Sequence, residues 1–246
     1  MAVPKDLSSF SAGEFLHIKV EPGEVPLFRR AYSILTATKT EVEVLYKVLG
    51  VGTRLLCRRK AGDIISIMGP LGNAFSAPGP KEMAVCVAGG VGLPPILRWA
   101  VELTQKNMPA DRLRFIYGAR SVDELVLRDR VEMLGCTIQY ATDDGSLGHH
   151  GRVTELLEAA IKPAARLGYR VRFYACGPEP MLEACSALCV ELDIEGVLSL
   201  ETPMPCGSGV CLGCVIPCRT SGNSDFVYRR TCVDGPVFNA REVMWA

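Results

Sequence analysis

Two hydrophobic rhythms divide the chain. Up to about residue 76, apolar positions alternate with polar ones in short runs. Residues 15–20 alternate, and residues 42–48 (Val-Glu-Val-Leu-Tyr-Lys-Val) alternate again, with Gly and Pro at the joins. Residues 54–57 and 63–68 continue the pattern, and no helix of ordinary length fits. So many short strands predict a small antiparallel β-barrel, which leaves few open edges. The rhythm changes near residues 78–81. Residues 83–88 form a continuous apolar strand, and further strands are expected over 113–117, 137–141 and 170–175. Helical periods fall between and after them, over 94–104, 125–134, 153–160 and 180–192. Alternating strands and helices with short joins predict a mostly parallel sheet covered on both faces. Past Glu201 the chain is rich in Gly, Pro and Cys, with one strand-like stretch over 226–230. Its side chains supply little core, so a metal is expected to organise it. The expected organisation is a barrel over 1–76, an α/β domain over 77–200 and a metal-binding module over 201–246.

Charge and composition narrow the function classes. Lys plus Arg and Asp plus Glu both number 27, so no basic footprint for nucleic acid is present. Apolar content of 48% with 22% charged residues is globular rather than disordered. The longest apolar stretch, residues 83–97, contains glycines and prolines and stops short of a membrane span. The start, with Lys5 and Asp6 followed by serines, has no signal-peptide core. Of the eleven cysteines, Cys57, Cys86, Cys136, Cys185 and Cys189 are scattered among apolar positions. Reduced core cysteines in a cytoplasmic protein are the simpler reading.

The remaining cysteines carry the chemistry. Cys206, Cys211 and Cys214 stand in one loop, Cys-Gly-Ser-Gly-Val-Cys-Leu-Gly-Cys, and Cys232 follows at a distance. A C-x4-C-x2-C loop with a remote fourth cysteine has the spacing of a plant-type [2Fe-2S] centre. Glycines between the ligands let backbone N–H groups turn toward the sulfurs. Cys218 is the rival fourth ligand, but only three residues separate it from Cys214. Zinc also accepts four thiolates, although its knuckles usually use paired C-x2-C units, which this segment lacks.

Two strand-to-helix turns point to a dinucleotide. Gly89, Gly90 and Gly92 let backbone approach a ligand whose phosphates face the helix start; the competing reading is a tight packing turn. Cys176-Gly177-Pro178 ends another parallel strand at the same carboxyl edge. Cys176 sits either by the reacting rings or as a small apolar filler. Asp143 and Asp144 could accept hydrogen bonds from ribose hydroxyls and repel a 2′-phosphate, favouring NAD over NADP, or form an ordinary Asp-Gly turn. Arg120 is either a phosphate partner or a surface arginine. In the barrel segment, Arg30-Ala31-Tyr32-Ser33 joins a guanidinium, an aromatic ring and a hydroxyl, groups able to hold a pyrophosphate and line a flavin. Gly52-Thr53 adds a close-approach glycine beside a hydroxyl, and Gly69-Pro70-Leu71-Gly72 forms another tight loop.

Taken in order, these motifs resemble the electron-transfer subunits of NAD-dependent dihydroorotate dehydrogenases, within the ferredoxin reductase-like superfamily. Arg30-Ala31-Tyr32-Ser33 is similar to the family's Arg-x-x-Ser flavin motif, and Leu45-Tyr46-Lys47 with Gly52-Thr53 to its other FAD contacts. The turns at Gly89–Gly92, Arg120, Asp143-Asp144 and Cys176-Gly177 resemble its dinucleotide half. Cys206, Cys211, Cys214 and Cys232 correspond to its cluster ligands, and the tail from Thr231 to Phe238 favours Cys232 over Cys218. The resemblance implies FAD and [2Fe-2S] as resident cofactors and NAD as exchangeable substrate. It also implies an FMN-containing dihydroorotate dehydrogenase catalytic subunit as partner, two of each in a heterotetramer, serving pyrimidine biosynthesis. It implies no proton-transfer residue in this chain, because redox cofactors carry the chemistry. Three departures stand out. Ala31 replaces a usual proline, Ser208 replaces an aliphatic residue, and the segment before Gly13 is short by about one strand. Related subunits of ferredoxin:NADP oxidoreductases or sulfur-reducing hydrogenases share this motif order, and a zinc-stabilised binding protein is the reading from another class.

Overall fold

The computed structural model describes residues 10–20, 28–220 and 225–245. Residues 1–9, which hold much of the short start, lie outside that description. In the first segment β1 (Phe15–Ile18), β2 (Arg30–Ala37), β3 (Val42–Val44) and β4 (Ile67–Leu71) pair antiparallel in the order β3-β2-β1-β4. The alternation sorts side chains as expected. Leu16, Ile18, Tyr32, Ile34 and Val42 fill one core, while Phe15 and His17 lie buried on the other face of β1.

Residues 54–57 are not a strand; they belong to helix α1 (Val51–Cys57). Thr53 accounts for the difference. Its hydroxyl accepts the backbone N–H groups of Leu49 (2.9 Å) and Gly50 (3.1 Å), filling the role of a reciprocal helix cap. Leu56 then turns into the sheet's core. The strand expected over 42–48 ends at Val44, and Leu45–Lys47 runs on as irregular backbone.

The second segment supplies β5 (Glu82–Gly89), α2 (Leu93–Gln105), β6 (Leu113–Ala119), α3 (Arg128–Glu132), β7 (Thr137–Thr142) and β8 (His149–His150). It continues with α4 (Val153–Arg166), β9 (Arg170–Cys176), α5 (Glu179–Glu191) and β10 (Glu195–Ser199). Its strands are parallel, in the order β10-β9-β5-β6-β7-β8. β5 is buried on both faces. Met83, Val85 and Val87 meet α4 and α5, whereas Ala84, Cys86 and Ala88 meet Ile96, Trp99 and Leu103 of α2. The chain moves from β5 outward to β7 and β8, then returns to lay β9 on β5's other side. The switch point therefore lies between β5 and β9, the two strands that end in the glycine turns. The helix expected over 125–134 shrinks to α3 because Leu127 adopts a left-handed conformation, φ 56°.

The C-terminal segment forms a hairpin of β11 (Val215–Arg219) and β12 (Phe226–Arg230). It then adds β13 (Val237–Asn239) antiparallel to β10, at the edge of the α/β sheet. Phe238, Ala240 and Val243 enter the α/β core, and Ser186 on α5 donates to the Ala240 carbonyl at 3.0 Å. Asn73, just past β4, ties the same tail to the first sheet. Its amide donates to the carbonyls of Asp234 (3.2 Å) and Val237 (2.9 Å) and accepts from the Val237 N–H (2.9 Å). The C-terminal segment is thereby fastened to both preceding sheets.

Candidate functional site

Two cavities meet between the first sheet and the α/β sheet. The larger, about 750 Å³, opens at the switch point and is lined by Gly89, Gly90, Gly92, Arg120, Asp143 and Gly177, among others. The smaller, about 550 Å³, is lined by Arg30, Ala31, Tyr32, Ser33, Gly52 and Thr53. Leu45, Tyr46, Lys47, Val91 and Glu201 line both, so the cavities share a wall. Each volume is that of an ordinary small-molecule or cofactor site.

In the larger crevice Gly92 is set by backbone proximity and Gly89 by the side chains of Met181 and Pro178. A Cβ at Gly92 would overlap the Cys176 carbonyl and lie 2.6 Å from the Gly177 nitrogen; one at Gly89 would lie 2.9 Å from Pro178. The two turns at the switch point therefore touch backbone to backbone. Arg120 and Lys47 both grip Glu124, at 2.5 and 2.9 Å, and hydrogen bonding to Arg120, then Lys47, holds that carboxyl down to about 2. Lys47 so bridges the first sheet's wall to the α/β domain. Asp143 lines the crevice. Asp144 is not on its wall; its carboxylate accepts the Ser146 amide (3.0 Å) and hydroxyl (2.5 Å), an Asx turn. Cys176 is also off the cavity wall, 1% exposed, with burial pushing its thiol well above the ordinary range.

The smaller groove keeps one unspent buried polar group and a guanidinium at its rim. The buried Tyr32 hydroxyl has no hydrogen-bond partner, and its ring meets Tyr46 edge-on at 5.6 Å. Arg30 donates to the carbonyls of Phe28 (2.7 Å) and Arg29 (3.2 Å) at the rim. Gly52 lies beneath it, where a Cβ would stand 3.2 Å from its Nε. Thr53 spends its hydroxyl on the α1 cap. An orphaned hydroxyl, a guanidinium at the mouth and apolar walls fit a flavin dinucleotide. Gly69 and Gly72 line neither cavity. A Cβ on Gly69 would come 2.6 Å from Leu16, and one on Gly72 would come 2.5 Å from Pro236, so both serve packing of β4.

The four expected ligand cysteines fall into two pairs. Cys211 is exposed and Cys206 half-buried; the amides of Cys211 and Ser208, then the Cys211 side chain, draw the Cys206 thiol down to about 5. Cys214 and Cys232 are 3% and 2% exposed and pack with Phe15 and Met204. Burial, then Cys214, pushes the Cys232 thiol up to about 12. Amides of Ser208 and Gly213 reach the sulfurs of Cys206 and Cys211 at 3.4 Å. Among the described residues no three His, Cys, Asp or Glu side chains gather closely enough to hold a metal ion as one set. Two separate pairs are the division a two-iron centre uses, two thiolates to each iron, so the donor set fits [2Fe-2S]. Cys218 is remote from them, fully buried in the α/β core and bridged to Val243.

Glu201 carried no signal in the sequence, standing alone before Thr-Pro-Met. The structure sets it on both cavities, where surrounding walls raise its carboxyl by desolvation although solvent still reaches it. Met181 and Val153 were likewise silent, since only folding brings α4 and α5 to the crevice.

Comparisons with known proteins agree with this layout. Residues 201–244 match the family model for the iron-sulfur cluster binding domain of dihydroorotate dehydrogenase B, and residues 86–187 that for an oxidoreductase NAD-binding domain. The dihydroorotate dehydrogenase B (NAD(+)) electron transfer subunit of Bacillus velezensis is 38% identical over 94% of this chain and 86% of its own length. That of Geobacillus kaustophilus is 37% identical over the same shares. Among solved structures, a chain of an NADH-dependent reduced ferredoxin-NADP oxidoreductase superposes with a TM-score of 0.77 and 26% identity. It covers 96% of this chain and 80% of its own. The cytochrome b5 reductase domain of Ulva prolifera nitrate reductase shares the fold at a TM-score of 0.62, 19% identity, over 83% and 87% of the two chains.

Proposed function

The chain belongs to the family of dihydroorotate dehydrogenase B electron-transfer subunits, and on that premise we propose how its cavities and thiols divide the work. It links a flavin-dependent dihydroorotate dehydrogenase to NAD through FAD and iron-sulfur chemistry. We assign the 750 Å³ crevice to the nicotinamide dinucleotide, the 550 Å³ groove to FAD, and the two thiol pairs to a [2Fe-2S] cluster. When bound, these groups supply hydride exchange with NAD and single-electron relay to the FMN of the catalytic partner.

One observation carries the assignment: the sites form an unbroken series. The crevice and groove share the Leu45–Lys47 strap, Val91 and Glu201, and Phe15 lines the groove while packing against Cys214 and Cys232. The chain's residues position and insulate. Gly89, Gly90, Gly92 and Gly177 admit the dinucleotide phosphates, and Asp143 takes the ribose, favouring NAD over its 2′-phosphorylated form. Arg30 holds the flavin pyrophosphate, and the hydroxyls of Tyr32 and Ser33 meet the ring edge. Arg120 is ion-paired to Glu124 and exposed, so its part is to neutralise the crevice wall. No side chain here is needed as an acid or base toward dihydroorotate.

Exposed Cys211, paired with half-buried Cys206, stands between Val210 and Leu212, which are 81% and 59% exposed. Apolar side chains standing free around a relay centre suit docking of the catalytic subunit. We place two of each subunit in a heterotetramer, with net flow from dihydroorotate to NAD. We place the assembly in the cytoplasm, supported by the seven cysteines outside the cluster set, which stand as free thiols. No described helix is long and apolar enough to cross a membrane. Likeness to the reduced ferredoxin-NADP oxidoreductase chain favours a second reading, a ferredoxin-linked partner, at lower identity than the relatives above.

Mixing the loaded chain with an FMN-containing dihydroorotate dehydrogenase subunit separates the two. Dihydroorotate-dependent NADH formation that requires both proteins is expected. A loaded chain that stays inactive in that mixture yet exchanges electrons with ferredoxin would move the assignment to the second partner.

A further inference from the structure

His17 is fully buried, and neither ring nitrogen has a hydrogen-bond partner. A neutral imidazole carries one N–H donor and one bare acceptor, and burying both unpaired costs about 1–3 kcal/mol for each group. Such a residue persists where a bound group completes it. Its surroundings identify that group. His17 shares its face of β1 with Phe15, 5.9 Å away between ring centroids, and Phe15 packs directly on Cys214 and Cys232. The edge of the ring that bears Nδ1 lies against Gly207, the residue following Cys206. A Cβ there would stand 2.6 Å from both Nδ1 and Cε1. Gly207 itself has φ +69°, so the loop accepts glycine alone on two grounds. Across the sheet His17 pairs with Ala31 and Met68, neither of which offers an oxygen or nitrogen acceptor on its side chain, and the Met68 thioether makes no bond to the ring.

We infer that the His17 imidazole donates a hydrogen bond to a sulfur of the [2Fe-2S] cluster at the Cys206 side, making it a positioning residue that sets the relay's reduction potential. The inference rests on the cluster assignment made above. Sulfurs gain negative charge when the cluster takes an electron, so a donor aimed at them stabilises the reduced form more than the oxidised one. Gly207 keeps the loop backbone close enough for the ring to reach past it, and the buried setting strengthens the bond because no water competes.

The test compares fully loaded wild type, His17→Phe and His17→Gln by redox titration followed by electron paramagnetic resonance, with iron and sulfide assayed in each. His17→Phe, which fills the site without a donor, is expected to shift the cluster's one-electron equilibrium about tenfold toward the oxidised form, about 59 mV lower. His17→Gln, which keeps a donor, is expected to recover part of that shift. An unchanged cluster potential in loaded His17→Phe, or a shift confined to the flavin, overturns the inference. Should His17→Phe fail to load, wild type carrying 15N only in histidine decides. His149 and His150 sit on β8 at the opposite edge of the seven-stranded sheet from β13. A weak 15N coupling on the reduced cluster supports the bond, and its absence overturns it. Failure of wild type to hold iron and sulfide would instead remove the cluster assignment itself.

Discussion

Serine at position 232 is expected to cost the protein nearly all its iron and sulfide, while serine at 218 leaves both in place. The two cysteines are alike in burial and stand on adjoining segments, but they belong to different structures. Cys232 is paired with Cys214 against Phe15 and Met204, and the Thr231 hydroxyl beside it donates to the Cys214 carbonyl at 2.9 Å. Cys218 sits among Phe238, Ala240 and Val243 in the α/β core. Cys232→Ser therefore removes one of two donors to an iron, and a two-iron centre lacking a thiolate is lost or becomes labile. Cys218→Ser buries a hydroxyl in apolar surroundings, a cost of about 1–3 kcal/mol to stability with no ligand removed. Iron and acid-labile sulfide assays, run beside thermal unfolding, read both effects at once. Equal metal loss in the two variants would contradict the ligand assignment.

The second large effect is expected at Gly92. Its position admits no side chain, because the Cβ would fall on the carbonyl of Cys176 and the amide of Gly177. Neither is a flexible side-chain end, so the backbone must move. Gly92→Ala would push apart the turns after β5 and β9, whose contact forms the floor of the dinucleotide crevice. Overpacking of this kind costs about 1–3 kcal/mol. Concentrated at the crevice, it is expected to raise the NADH concentration needed for half-maximal flavin bleaching by about 10–100-fold. Flavin and iron contents should stay as in wild type, since the groove and the thiols lie on other elements. Gly90→Ala is the control: no atom lies within 4 Å of its Cβ, and only its φ of +52° is strained. That strain costs about 1–2 kcal/mol without forcing the two turns apart, so its effect on the crevice should be the smaller of the two. Equal effects at 90 and 92 would mean that turn strain, not backbone contact, governs the crevice.

What could be read before folding was what depends on neighbours in sequence. The C-x4-C-x2-C loop and the glycine turns at strand ends announce themselves because one short peptide carries the whole signal. The alternation of Leu16, Ile18, Tyr32 and Ile34 is equally local. Helix α1 was misread because residues 54–57 are too few to distinguish a period of 2 from one of 3.6, and the deciding cap lies upstream in Thr53. Gly69 and Gly72 looked like ligand-approach glycines but answer to Leu16 and Pro236, contacts between remote segments. β13 was missed for a related reason: three residues gain strand character only by adding to β10. That Asp144 bonds Ser146 and that Cys176 is buried were equally illegible, because both follow from how the loops fold. Glu201 and His17 stayed invisible because a single glutamate or histidine has no pattern; the former gains its place from two cavities, the latter from the cluster loop folding over β1.

Anaerobic titration of the isolated, fully loaded chain with NADH, partner absent, addresses the relay most directly. Flavin absorbance and the paramagnetic signal of the reduced cluster are followed on the same additions. The arrangement of crevice, groove and thiols predicts that flavin bleaches and that the cluster signal then rises without any catalytic subunit. Flavin that bleaches while a demonstrably intact, chemically reducible cluster stays silent, or flavin that NADH leaves untouched, would contradict it.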